Sequence, residues 1–99
     1  MAIYFEVESK LGRKIRVTEE YWNYLVKKHE SIEFLEDELR ETLKNPITVR
    51  LSREDPKVCL YYSRYRNYYL CAVCKHLNDE GFVITAYLAD TIKKGVTLL

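Results

Sequence analysis

No apolar run in the 99 residues approaches the roughly 20 that a membrane-crossing helix needs, so no membrane association is expected. The first ten residues, MAIYFEVESK, carry charge where a secretory signal would need an apolar stretch, and a cytoplasmic protein is the expectation. Cysteine is scarce: Cys59, Cys71 and Cys74 cannot all pair within one chain, in keeping with a reducing compartment. Repeats, low-complexity tracts and linkers are missing, and a chain of this length encloses one core, which predicts one domain over residues 1–99. A large charge excess is missing too, since the formal net charge is only +1. Residues 1–49 hold ten acids against eight bases and residues 50–99 five against eight, so the second half is mildly basic. That points weakly to a phosphate-bearing partner and falls far short of a dedicated electrostatic DNA binder.

What is present is a composition of 47% hydrophobic and 31% charged residues, that of a folded globular chain. IYFEV and KIRV alternate around Gly12 and predict a hairpin over residues 3–17. Thr18 offers an N-cap hydroxyl and Glu19 and Glu20 suit a first helical turn, so a helix is expected over Glu19–His29, with Trp22, Leu25 and His29 in one sector. Ser31 is placed to cap a second helix whose Ile32, Leu35, Leu39 and Leu43 form an apolar line, stopped by Asn45-Pro46. The acidic side of that helix suits a solvated surface, with a partner site as the alternative. ITVRL, VCLYYSRY, NYYLCAVCK and FVITAYL then read as successive strands. Helices followed by strands predict an α+β fold: an N-terminal hairpin and two helices packed on one face of an antiparallel meander sheet.

Strand parity assigns the faces. A covered face is expected to hold Val58, Leu60 and Tyr62, then Leu70, Ala72 and Cys74, then Phe82, Ile84, Ala86 and Leu88. An open face would then hold Tyr61, Tyr69, Lys75, Thr85 and Tyr87, with the strand hydroxyls and an amine but no carboxylate. By the same parity Cys71 and Cys74 point opposite ways, so the C-x-x-C spacing suits buried small hydrophobes better than a metal site.

Nine tyrosines are many for this length, and five crowd into YYSRYRNYY with Arg64 and Arg66 between them. Such rings can stack on bases while the arginines meet phosphates, although tyrosine is also an ordinary residue of half-buried strands. Arg64 has covered-face parity in a regular strand and needs a bulge or the strand end to join the open face. His29, near a helix end, suits either a site or a hydrogen-bonded core position, and His76 at the edge of a turn has no expected role.

YWNYLVKKHESI, LRETLKNPITVRLS, YYLCAVCK and FVITAYLADTIKKG, in that order over residues 19–95, resemble the small phage and bacterial nuclease-like domains grouped with barnase, EndoU, the tRNase colicins and RelE toxins. The resemblance implies an open sheet face and metal-independent RNA cleavage, in which the 2′-hydroxyl attacks the adjacent phosphate without a cofactor. It implies His29 as acid or base, Arg64 and Lys75 on the phosphate, and Thr85 and Tyr87 orienting it or moving a proton. Arg66 and Tyr61 join Arg64 as the expected RNA contacts. RNA, and an antitoxin or immunity protein, are the implied partners. The alternative is a non-catalytic domain of the same fold that binds RNA or protein.

Overall fold

The computed structural model describes residues 2–99. Strands β1 (Ile3–Glu8) and β2 (Lys14–Thr18) form an antiparallel hairpin, followed by helix α1 (Glu19–Lys28), a short 3-10 helix (Glu30–Phe34) and helix α2 (Glu36–Lys44). Strands β3 (Thr48–Leu51), β4 (Val58–Tyr65), β5 (Tyr68–Leu77) and β6 (Glu80–Ala89) make an antiparallel meander, and β7 (Val96–Thr97) ends the series. All seven strands share one sheet in the order β1-β2-β6-β5-β4-β3-β7. The fold is α+β, with both helices against one face of the sheet. No helix among the described residues is long and apolar enough to cross a membrane.

Local chemistry explains most of the element ends. The Thr18 hydroxyl accepts the Tyr21 N–H at 3.1 Å and so caps α1. The continuous second helix expected from Ser31 is instead broken at Leu35, and Ser31 caps nothing. The tighter 3-10 turn repeats every three residues, which lets Ile32 and Leu35 both face the core. Asn45 closes α2 as expected. The two-residue turns of the meander rest on left-handed Arg66 (φ 53°) and Asn78 (φ 54°).

The hairpin joins the meander through a parallel seam between β2 and β6, with Ile15 opposite Gly81. A Cβ on Gly81 would lie 2.5 Å from the Lys75 carbonyl oxygen and 2.8 Å from Ile15 Cδ1, so the seam closes only over glycine. Under the helices lies the main core, where Leu25, Ile32, Leu39 and Leu43 meet Ile15, Val17, Leu70, Ala72 and Val83.

Two face assignments differ from expectation. In β4 the faces are exchanged: Cys59 and Tyr61 pair with Cys74 and Ala72 under the helices, while Val58, Leu60 and Tyr62 pair with Lys75, Val73 and Cys71 on the open face. Both sets are apolar or aromatic, so alternation alone does not choose between them. In β6 a bulge changes the parity, because Cys74 pairs with Val83 but Val73 with Thr85, leaving Ile84 as the extra residue. Val83 therefore lies with Ala86 and Leu88 under the helices, and Phe82 with Thr85 and Tyr87 on the open face. The bulge carbonyl of Ile84 accepts a hydrogen bond from the Tyr21 hydroxyl of α1.

The open face is not bare. After β6 the chain crosses it to bring β7 alongside β3. In this strap, residues 90–95, Ile92 packs on the smaller apolar cluster of Leu60, Tyr62 and Cys71, and the Lys93 N–H donates to the Tyr62 hydroxyl at 3.1 Å.

Candidate functional site

Beside the strap the open face hollows into a cavity of about 410 Å³. Leu60, Val73, Thr85 and Tyr87 form part of its lining, contributed by β4, β5 and β6. Its rim is cationic: Arg50 and Arg53 come from the β3 side and Lys93 and Lys94 from the strap, against the two carboxylates Glu54 and Asp55. Four positive groups against two negative ones around a partly apolar concavity favour an anion, and low-dielectric walls strengthen that preference.

Thr85 and Tyr87 meet here because the bulge at Ile84 puts both on the open face. Thr85 Oγ1 is buried and has no hydrogen-bond partner among the described residues. Tyr87 is half-buried, and burial, followed by the neighbouring Cys71, raises its phenol well above the ordinary tyrosine value. Its hydroxyl is therefore neutral at physiological pH and available as a donor. Cys71 lies close to the Tyr62 and Tyr87 hydroxyls, with its thiol pushed up to about 11 by burial, and Tyr62 is pushed up to about 12 for the same reason. Cys71 and Tyr62 are fully buried behind Tyr87 and stay neutral.

Two further side chains reach Tyr87. The Lys93 ammonium lies 5.8 Å from the centre of its ring. His29, the residue that ends α1, brings its half-buried imidazole to 6.2 Å between ring centres. The helix end reaches the sheet margin because β2 pairs with β6 only as far as Phe82, leaving the later part of β6 beside α1 and the 3-10 helix.

The other expected site residues are dispersed. Lys75 shares the open face but donates to Asp55 at 3.1 Å. The Asp55 carboxyl is held below its usual range by the Lys57 backbone N–H and then by Lys75, so the lysine charge is already matched. Arg64 reaches the open face without a bulge, because the parity of β4 is the reverse of that expected; it lies at the hairpin end, 5.1 Å over the Tyr69 ring. Arg66 instead lies over Tyr65, whose side packs against the main core.

Tyr61 is a correction. It is 0% exposed beneath the helices, where it cannot meet a base. Its hydroxyl donates to Ser9 Oγ at 2.9 Å and lies 2.9 Å from His76 Nε2, while His76 Nδ1 is 3.5 Å from Cys59 Sγ. His76, expected to have no role, is thus an interior strand residue in a buried polar chain. Burial lowers its pKa, with Arg13 adding to the effect, and raises those of Tyr61 and Cys59. Cys71 and Cys74 do face opposite ways, and all three cysteines are free and buried.

Sequence reasoning missed the rim. Arg50 and Arg53 stand in a short strand and its loop, and Lys93-Lys94 follow the last clear strand. The available signal was that both pairs flank apolar strands in the basic half of the chain. Comparisons of the chain with protein-family models, with curated proteins and with solved structures return no match.

Proposed function

We propose that this protein is a metal-independent endoribonuclease acting at the strap-side cavity. The observation that carries this reading is a cationic concavity lined by Lys93, Tyr87 and Thr85, whose buried hydroxyl is unpartnered among the described residues, with the His29 imidazole outside that lining and 6.2 Å from the Tyr87 ring. A phosphodiester needs a cationic cradle, and the adjacent ribose 2′-hydroxyl needs a base; the Lys93 ammonium and the His29 imidazole lie 5.8 and 6.2 Å from the centre of one tyrosine ring. The resemblance of residues 19–95 to nuclease-like domains supports the same chemistry.

In this mechanism the rim cations and the Thr85 hydroxyl hold the non-bridging oxygens. The His29 imidazole takes the proton of the 2′-hydroxyl as its oxygen attacks phosphorus. Tyr87, kept protonated by burial, gives its proton to the departing 5′-oxygen. The products are a 2′,3′-cyclic phosphate and a 5′-hydroxyl, and the imidazolium proton returns to the tyrosinate through solvent. Because Lys75 is matched by Asp55, Lys93 and Lys94 take the phosphate-binding role expected of it.

The test is incubation of the folded protein with single-stranded RNA and excess chelator. Fragments ending in cyclic phosphate are expected, with His29→Ala and Tyr87→Phe each lowering the rate by about 100-fold or more. Intact RNA in the presence of folded protein would overturn the catalytic assignment. A second reading, RNA binding at the same cavity without cleavage, draws on the Lys75–Asp55 pair, which removes one cation from the cradle. It predicts salt-dependent binding and no fragments.

A further inference from the structure

Beyond the strap from the cavity, the open face carries a second feature that the chemistry above does not use. Arg64 stands directly opposite Tyr69 at the hairpin end, with its guanidinium 5.1 Å above the ring centre. The exposed Arg64 side chain is thus backed by a tyrosine and open to solvent. Among the described residues no carboxylate pairs with Arg64. A guanidinium backed by one aromatic ring and unclaimed by an acid is available to a second π-system.

The sheet register fixes where this stack lies. Tyr69 is two residues before Cys71 on β5, and Cys71 is opposite Tyr87. Diagonal cross-strand neighbours of this kind are about 7–8 Å apart, within the reach of large side chains. The strap, with Ile92 on Tyr62 and Cys71, lies between the two, so a strand whose phosphate occupies the cavity reaches Arg64 by passing over the strap.

We infer that Arg64, supported by Tyr69, is a nucleobase-stacking subsite and that the substrate class is single-stranded RNA with at least one unstacked base across the strap from the bound phosphate. This rests on the cavity being the phosphate site proposed above. Duplex RNA keeps its base faces inside the helix and offers none to a stacking platform, whereas a splayed single strand offers each in turn. Arg64 is a binding residue in this scheme and has no part in the bond-breaking steps.

The experiment measures binding of a short single-stranded oligonucleotide protected by 2′-O-methyl groups, so that it cannot be cleaved, and of an abasic oligonucleotide of the same length and charge. The wild-type protein and Arg64→Lys, which keeps the charge and loses the plane, are compared by fluorescence anisotropy. For the wild type, the base-bearing strand is expected to bind about five- to 150-fold more tightly than the abasic one, the range conferred by stacking one base. For Arg64→Lys that ratio is expected to fall toward one, with abasic binding unchanged. Equal binding of both strands to the wild type would leave the phosphate site standing and overturn the stacking subsite. An unchanged ratio in Arg64→Lys would overturn it as well. Binding of neither strand would remove the cavity reading, and the subsite with it.

Discussion

Replacing Thr85 by valine separates a ligand-binding hydroxyl from a structural one. The two side chains have nearly the same shape, so packing against Val73 across the strand pair is retained. The polar atom alone is lost. Thr85 Oγ1 is buried at the cavity floor and makes no hydrogen bond within the described residues, so its removal breaks no internal contact. An unsatisfied buried hydroxyl costs about 1–3 kcal/mol, some of which the substitution should recover, aided by the higher strand preference of valine. Urea unfolding is therefore expected to show stability unchanged or raised by up to about 1 kcal/mol. A hydrogen bond to a charged phosphate oxygen is worth about 1.5–3 kcal/mol, so affinity for inorganic phosphate or an oligonucleotide should fall by about ten- to 150-fold. Titration calorimetry and urea titration on the same preparation supply both numbers. A variant destabilised by more than about 1 kcal/mol but binding phosphate as before would refute the reasoning, because it would assign the hydroxyl to the fold.

Two further predictions concern the buried polar chain. Tyr61→Phe keeps the ring volume but leaves the His76 imidazole and Ser9 hydroxyl without their shared partner; a loss of about 1–3 kcal/mol is expected at pH 8, with RNA binding unaffected. A stability loss below about 0.5 kcal/mol would show that the chain is not held as described. The second prediction follows from the lowered pKa of His76. The unfolded chain takes up this proton near pH 6.5 and the folded one only at lower pH, so the stability contribution is complete above about pH 7 and is lost as pH falls through the folded value. Urea titrations at about pH 8 and pH 5.5 should differ more for the wild type than for His76→Asn, with a slope of at most about 1.36 kcal/mol per pH unit from this one proton.

The sequence was most legible where a single residue type has a single local use. Thr18 caps α1, Asn45 before Pro46 ends α2, and the bounds expected for β4 are those observed. The α+β arrangement followed from the same signals. Legibility failed where two solutions were chemically alike. Both faces of β4 are greasy, so Tyr61 and Tyr62 could exchange places without disturbing the pattern, and that exchange sealed Tyr61 while bringing Arg64 onto the open face. The bulge at Ile84 left no mark in a run of apolar residues, yet Thr85 and Tyr87 keep the face expected of them because it lies before both. The cationic rim depends on how residues 90–95 cross three strands, a non-local outcome that no window of sequence contains. Its clue in the structure is Gly95, where a Cβ would lie 2.5 Å from the Leu51 carbonyl oxygen, so the crossing chain can settle against β3 only with hydrogen there.

The parallel seam imposes an order on biogenesis. Ile15 and Gly81 are register partners although they stand 66 positions apart along the polypeptide. During translation the first hairpin leaves the ribosome long before the strand that will seat it. Through that interval the β2 edge that will pair with β6 has no partner, and Ile15 and Val17, both almost completely enclosed in the finished protein, lack the Leu70, Ala72 and Val83 part of their core. Contacts this distant in sequence must await most of the chain, which makes them slow to form. Until β6 is made, the apolar side of this hairpin stays incompletely covered.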